Sequence, residues 1–221
     1  MSREHWDRQA ANWATWARTP DFDAYWKYSP VFFELVPPPQ RLTLEVGCGE
    51  GRVTRDLAKR GHRVASVDAT WPLIRLARDA DPAGMYVRCD AAALPFADES
   101  FDLAVFYNSL MDIDDMESAV REAARVLRQG GAMVACVTHP IADAGLFSSR
   151  EADAAFVIED TYLGSRRWLD LPIERDGLFM ASRAGRTRSR VTSGRWSVQV
   201  LSSRRFASLR ANNGGTASPT S

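Results

Sequence analysis

The sequence predicts an α/β fold, a Rossmann-like doubly wound parallel sheet, and three observations predict it. Apolar strand-like runs alternate with amphipathic helical segments between residues 42 and 138. The first run, in "LTLEVGCGEGRVTRDLA", ends in a glycine turn that opens directly into a helix. Three strand ends carry a carboxylate (Glu45, Asp68 and Asp90) at the edge where open α/β sheets bind ligands. A chain of 221 residues holds one sizeable domain of this kind and is too short for two ordinary ones.

Taken in order, residues 3–17 read as an amphipathic helix with Trp6, Ala10, Trp13 and Ala17 on one face. A second short helix is expected around residues 21–28, stopped before Pro30, and "VPPPQ" forms a rigid linker into the core. Strands are expected at 42–46, 63–68, 85–89, 102–107 and 132–138. Helices fit 52–60, 72–80 and 115–128, and the last is expected to end at "RQGG" in a left-handed glycine cap. Right-handed crossovers then give five parallel strands in the order 3-2-1-4-5.

Composition narrows the function. Formal net charge is zero and 45% of residues are hydrophobic, which argues against global disorder and against a nucleic-acid scaffold. No apolar run approaches a membrane span, and "MSREHWDRQA" lacks the basic and apolar regions of a signal peptide. Cys48, Cys89 and Cys136 are odd in number and widely spaced, so a disulfide framework is not expected and a cytoplasmic protein is. Charge is uneven, because residues 177–221 hold eight arginines and no acid.

The glycine turn does not have dinucleotide spacing. Counting from Gly47, the position that should be the third glycine of G-x-G-x-x-G is Arg52. The pattern is instead Glu45, Gly47, Gly49 and Gly51 at every second residue. The glycines permit a sharp turn and close backbone approach to a ligand. Glu45 would repel a diphosphate but could help hold an ammonium group, directly or through water. S-adenosylmethionine, with an amino group, a sulfonium and no phosphate, fits that charge pattern. Asp68 ends "RVASVD", where a carboxylate can accept both ribose hydroxyls, and Asp90 follows "MYVRC", where it can accept from an adenine amino group.

With these residues in place, the chain resembles class I S-adenosylmethionine-dependent methyltransferases, in particular the type 11 group that includes quinone-biosynthesis enzymes. "EVGCGEG" is similar to the family's first motif, "SVD" to its second, and "CDAAALPFADESFDLAVFYNSL" to its adenine-binding and fourth-strand segments. "VREAARVLRQGGAMVACV" is similar to the helix before the family's fifth strand. The resemblance spans residues 40–140 and implies S-adenosyl-L-methionine as cofactor. It implies a binding set of Glu45, Gly47, Cys48, Gly49, Gly51, Asp68, Ala69, Asp90, Ala91 and Tyr107, with Arg18 reaching the cofactor carboxylate. One local departure is "ATWP" after Asp68, where Trp71 either flanks the adenine or packs on the following helix; packing is favoured.

Each candidate has a bland reading beside the functional one. Tyr107 and Asn108 end strand four, as an ordinary terminus or as a contact to acceptor or cofactor. Asp112, Asp114 and Asp115 suit helix capping better than a metal, since no histidine or cysteine accompanies them, and no metal is expected. His139, in "CVTHP", suits a general base near neutral pH, and equally a loop histidine held by backbone bonds. His62 reads as a turn residue, His5 as a surface residue, and Cys48 as a small filler without a neighbouring base. Trp6, Trp13, Trp16 and Trp26 crowd the first 26 residues, either packing on the sheet or forming a lid that excludes water near a sulfonium.

The organisation expected is a helical lid at 1–39, a cofactor-binding core at 40–140, an acceptor-pocket cap at 141–180 and a basic, unstructured tail at 181–221. A shifted reading frame through the tail yields a helix-like and strand-like pattern, so the tail is read as a frameshift product that leaves strand five with a bare edge. The fourth-strand end lacks the Asn/Asp-Pro-Pro-Tyr pattern, which favours a small-molecule methyl acceptor over nucleic acid. Two alternatives stay open: an NAD(P)-dependent oxidoreductase, and a non-catalytic S-adenosylmethionine-binding protein with a damaged C-terminus.

Overall fold

The computed structural model describes residues 2–137, 145–149, 151, 153–158, 169–184 and 207–210. Helices α1 (Ser2–Arg18) and α2 (Tyr25–Leu35) precede an alternating series. That series is β1 (Thr43–Val46), α3 (Arg52–Lys59), β2 (Val64–Asp68), α4 (Trp71–Ala80) and β3 (Met85–Arg88), then β4 (Phe101–Tyr107), α5 (Met116–Val126) and β5 (Leu127–Cys136). Strands β1 to β5 run parallel in the order 5-4-1-2-3, with Thr43 opposite Val64 and Leu103, as alternation predicts.

The sheet is covered on both faces, which is why its strands read as apolar runs rather than alternating ones. Ala104 and Phe106 of β4 face Ala119, Ala123 and Val126 of α5, while Leu103 and Val105 face Phe32 of α2 and Leu57 of α3. Burying a side chain the size of Leu57 or Phe32 stabilises the fold by about 1.5–3 kcal/mol.

Several expectations are corrected. The second helix begins later and runs through Pro30 to Leu35. Proline there removes one helical hydrogen bond, at a cost of about 3 kcal/mol, and burial of Phe32 and Phe33 on the sheet offsets it. Helix α5 ends at Val126, before the glycines. Register between β4 and β5 jumps from Phe101–Leu127 to Leu103–Ala132, and Gly130, at φ +77°, lies in this bulge rather than in a helix cap. His5 is buried rather than at the surface, because α1 packs against both α4 and the C-terminal hairpin described next. His62 is likewise buried, with Nδ1 3.0 Å from Thr43 Oγ1.

Beyond residue 140 the described elements are strands. β6 (Gly145–Phe147) pairs with β7 (Phe156–Ile158), and β8 (Leu169–Arg175) pairs with β9 (Leu178–Ala184), both antiparallel. The hairpin β8–β9 reaches the segment between α1 and α2, where Arg175 donates to the Asp21 carbonyl at 2.6 Å and stacks over Phe22. The expected bare edge on strand five is also corrected. β10 (Ala207–Arg210) lies antiparallel on it, Ala207 opposite Ala135 and Arg210 opposite Ala132. The backbone of those four residues pairs with that row of β5 groups. Residues 181–184 complete β9 and 207–210 form β10, while residues 185–206 and 211–221 of the tail lie outside the described residues.

Candidate functional site

The turn after β1 is held by its neighbour strand. The N–H groups of Gly47 and Cys48 both donate to the Val67 carbonyl, at 2.8 and 2.9 Å. Gly47 has φ +74°, and a Cβ there would lie 2.4 Å from Ser109 Cβ, so glycine is required on two counts. Ser109 in turn donates to the Val46 carbonyl at 2.6 Å, tying the end of β4 to the end of β1. Gly51, at φ +83°, precedes α3, and Tyr86 packs where its Cβ would stand.

Asp68 is the second anchor. One carboxylate oxygen accepts from Gly49 N at 2.9 Å and the other from Thr70 N at 2.8 Å. Burial raises its pKa, and those two N–H bonds act in the opposite direction. Each oxygen retains a lone pair, so the same carboxylate can hold the loop and accept ribose hydroxyls. Asp90 is exposed just after β3, with Oδ1 accepting from Ala92 N at 2.9 Å, and Ala91 beside it is buried. Ala69 is half-buried between these two acids in the chain, its carbonyl accepting from Arg88 Nε at 3.2 Å.

Glu45 sits beneath the loop rather than on its open face. It is 2% exposed, and Oε2 accepts from the Thr54 hydroxyl, which lies 2.8 Å from Ser66 Oγ. Burial pushes its pKa up to about 8, so near neutral pH the acid is largely uncharged. Cys48 is buried and its thiol pKa is raised well above the ordinary value by the same cause, which suits a filler and not a nucleophile.

Helix α1 lies against the loop. Trp13 Nε1 is 3.4 Å from the position a Gly49 Cβ would take, and Trp6 meets Trp13 edge-on at 5.6 Å. Arg18, expected at a cofactor carboxylate, donates to Glu50 Oε2 at 2.8 Å and to the Leu76 carbonyl at 3.0 Å. Glu50 is buried and also held by Arg55 at 2.9 Å. Trp71 is 42% exposed with Arg78 5.5 Å over its ring, so it packs on its own helix through that cation and leaves a face open.

At the end of β4, Tyr107 meets Tyr25 edge-on at 5.3 Å and Phe32 at 4.7 Å. Burial pushes its phenol pKa well up, so the hydroxyl stays protonated near neutral pH and can donate a hydrogen bond. Asn108 turns at φ +49°, its N–H donating to the Cys136 carbonyl at 2.8 Å. Asp115 caps α5 by accepting from Ser118 N at 3.0 Å, as expected of a helix-start acid. His139 lies outside the described residues. Sequence reasoning missed Thr54, Ser66, Ser109 and Glu50, whose roles come from contacts between distant segments; only the β2-facing position of Thr54 on its helix offered a signal.

A family model described as a methyltransferase domain matches residues 44–135. The chain is 38% identical over 88 residues to a malonyl-[acyl-carrier protein] O-methyltransferase of Salmonella typhimurium, covering 40% of this chain and 35% of that protein. It is 35% identical over 132 residues to a demethylmenaquinone methyltransferase of Roseiflexus, covering 56% and 55%. A solved S-adenosylmethionine-dependent methyltransferase from Mesorhizobium loti superposes with TM-score 0.57 at 25% identity, covering 73% of this chain and 74% of the other. The chain spans only about a third to a half of the length of the curated relatives it matches.

Proposed function

We propose that this chain, whose residues 44–135 match the methyltransferase domain family, transfers a methyl group from S-adenosylmethionine to a small-molecule acceptor. One observation carries the reading. In a dinucleotide fold the N–H groups of the glycine turn face a pyrophosphate, but here Gly49 N already donates to the Asp68 carboxylate. A cradle whose donor is taken by an acid suits a ligand with hydroxyls and a cation, not a diphosphate. The same observation disfavours the nicotinamide-dependent alternative.

The residues fit the cofactor. Asp68 would accept the ribose hydroxyls, Asp90 and Ala91 would flank the adenine, and the backbone of Gly47 to Gly51 would pass close to the methionine portion. Glu45 would act mainly through the loop it supports, since it is buried beneath it. When bound, the cofactor supplies an already activated methyl on a sulfonium. What remains for the protein is alignment and exclusion of water. Trp13 closes the loop side, and Tyr107, held protonated, can donate to an acceptor oxygen or nitrogen. His139 is proposed as the base for acceptors that arrive protonated.

The relatives named above act on demethylmenaquinone or on malonyl-[acyl-carrier protein], and the reading extends to a small or carrier-linked acceptor of that kind. Nucleic acid is disfavoured by the fourth-strand sequence "YNSL". Among the described residues no helix is long and apolar enough to cross a membrane, and cytoplasmic activity is proposed. A screen of phenols, quinols and amines with methyl-labelled cofactor tests the reading. Label transfer to one class supports it, and cofactor binding without any transfer supports the non-catalytic alternative.

A further inference from the structure

Arg52 was singled out in the sequence because it occupies the position of a missing glycine, and the cofactor reading gives it no task. In the structure it is the first residue of α3, directly after Gly51, and its side chain turns toward the N-terminal segment. Its Nη1 and Nη2 grip both oxygens of Asp23, at 3.2 and 2.6 Å, and Nη1 also donates to the Ala17 carbonyl. The guanidinium stacks on the Tyr25 ring, 3.8 Å from its centroid. Four residues on, one turn along the same helix face, Asp56 accepts from the Tyr25 hydroxyl. Arg52 and Asp56 thus clasp residues 23–25 from two ends.

Both partners of the ion pair are largely buried, at 15% exposure each. Such a bidentate pair is directional, and breaking one side leaves a charge poorly solvated. A second contact of opposite polarity lies two residues back, where Glu50 of the loop binds Arg18 of the lid. The far side of Tyr25 rests against Tyr107, at the acceptor edge of the sheet. Lid, glycine turn and β4 end are therefore joined through Arg52 and Tyr25.

We infer that Arg52 is a positioning residue: it latches the lid segment 17–25 to the glycine turn, so that holding the cofactor and setting the Tyr25–Tyr107 wall of the acceptor site are one event. The inference rests on the cofactor reading only for the identity of the ligand. It differs from a purely structural ion pair in requiring that ligand binding tighten the lid.

The test uses the full chain, trypsin and S-adenosylhomocysteine. Cleavage of the Arg18–Thr19 bond reports release of the lid, and calorimetry reports affinity. In the parent, saturating S-adenosylhomocysteine should slow that cleavage about tenfold or more, since cleavage follows the open population. Arg52→Met should speed unliganded cleavage and weaken S-adenosylhomocysteine about tenfold, the scale of one lost charge-assisted contact. Ligand protection should largely disappear. Asp23→Asn, which keeps the packing, should do the same should Arg52→Met fail to fold, and Arg52→Lys should not rescue, because an ammonium cannot make the planar two-point grip. Parent-like cleavage in the variants, or faster cleavage with parent-like affinity, overturns the inference. Absence of S-adenosylhomocysteine binding in the parent refutes the cofactor reading instead, and unliganded cleavage rates still judge the latch.

Discussion

The carboxylate of Asp68 accepts a hydrogen bond from the backbone N–H of Gly49 at 2.9 Å, so the end of the second strand fixes the turn at the end of the first. One side chain therefore both shapes the cradle and offers its remaining lone pairs to a ligand. A glycine turn tethered in this way has less freedom to lose on binding.

Replacing Asp68 by Ala removes the loop tether and the proposed hydroxyl acceptor together. S-adenosylhomocysteine binding should weaken by about 1–3 kcal/mol, the cost of leaving hydrogen-bonding partners unpaired. Calorimetry on the purified variant checks this, and unchanged affinity would remove Asp68 from the site.

Gly47→Ala places a methyl against Ser109 Cβ and forces a side chain into positive φ. Overpacking and backbone strain together should cost roughly 2–4 kcal/mol of stability. Adding Ser109→Gly should recover the packing part only. A thermal melt of the single and double variants reads both, and simple additivity of the two substitutions would contradict the contact.

The Glu45 pKa rises from 4.5 unfolded to about 8 folded, the cause being burial. A carboxyl raised by folding binds its proton more tightly in the native state, so its contribution is fully present below about pH 4.5. It is lost as pH climbs through 8. Glu45→Gln should flatten that decline and make the protein more stable than the parent above pH 8, by an amount on the order of a few kcal/mol. Denaturant melts at pH 5 and about pH 9 distinguish the outcomes, and an identical pH slope in both proteins would rule out a buried neutral acid.

Strand β10 covers the outer edge of β5. Deleting residues 207–221 should expose the row from Ala132 to Ala135 and raise light scattering at concentrations where the parent stays clear. A deletion variant that remains monodisperse would show that the edge does not need this strand.

The central sheet was legible because its signals are local: a run of apolar residues, a turn of glycines, a strand end with an acid. The order of β1 to β5 followed from alternation alone. Residues whose fate is decided at a distance were not legible. Pro30 reads as a helix stop until Phe32 and Phe33 find the sheet, and "RQGG" reads as a helix cap until Phe101 and Leu103 set two registers around it. The acids at strand ends were visible, but whether each faces outward was not; Asp68 and Asp90 lie partly or fully open while Glu45 lies under Thr54. Arg52 stood out only as a misplaced residue, since nothing in its neighbours announces a partner 29 positions earlier.

The most direct test of the account is a pair of calorimetric titrations of the full chain, with S-adenosylhomocysteine and with NADH. A cradle whose Gly49 donor is held by Asp68 predicts saturable S-adenosylhomocysteine binding that weakens in Asp68→Ala, and no heat from NADH beyond dilution. Binding of NADH, or no binding of S-adenosylhomocysteine, would contradict it.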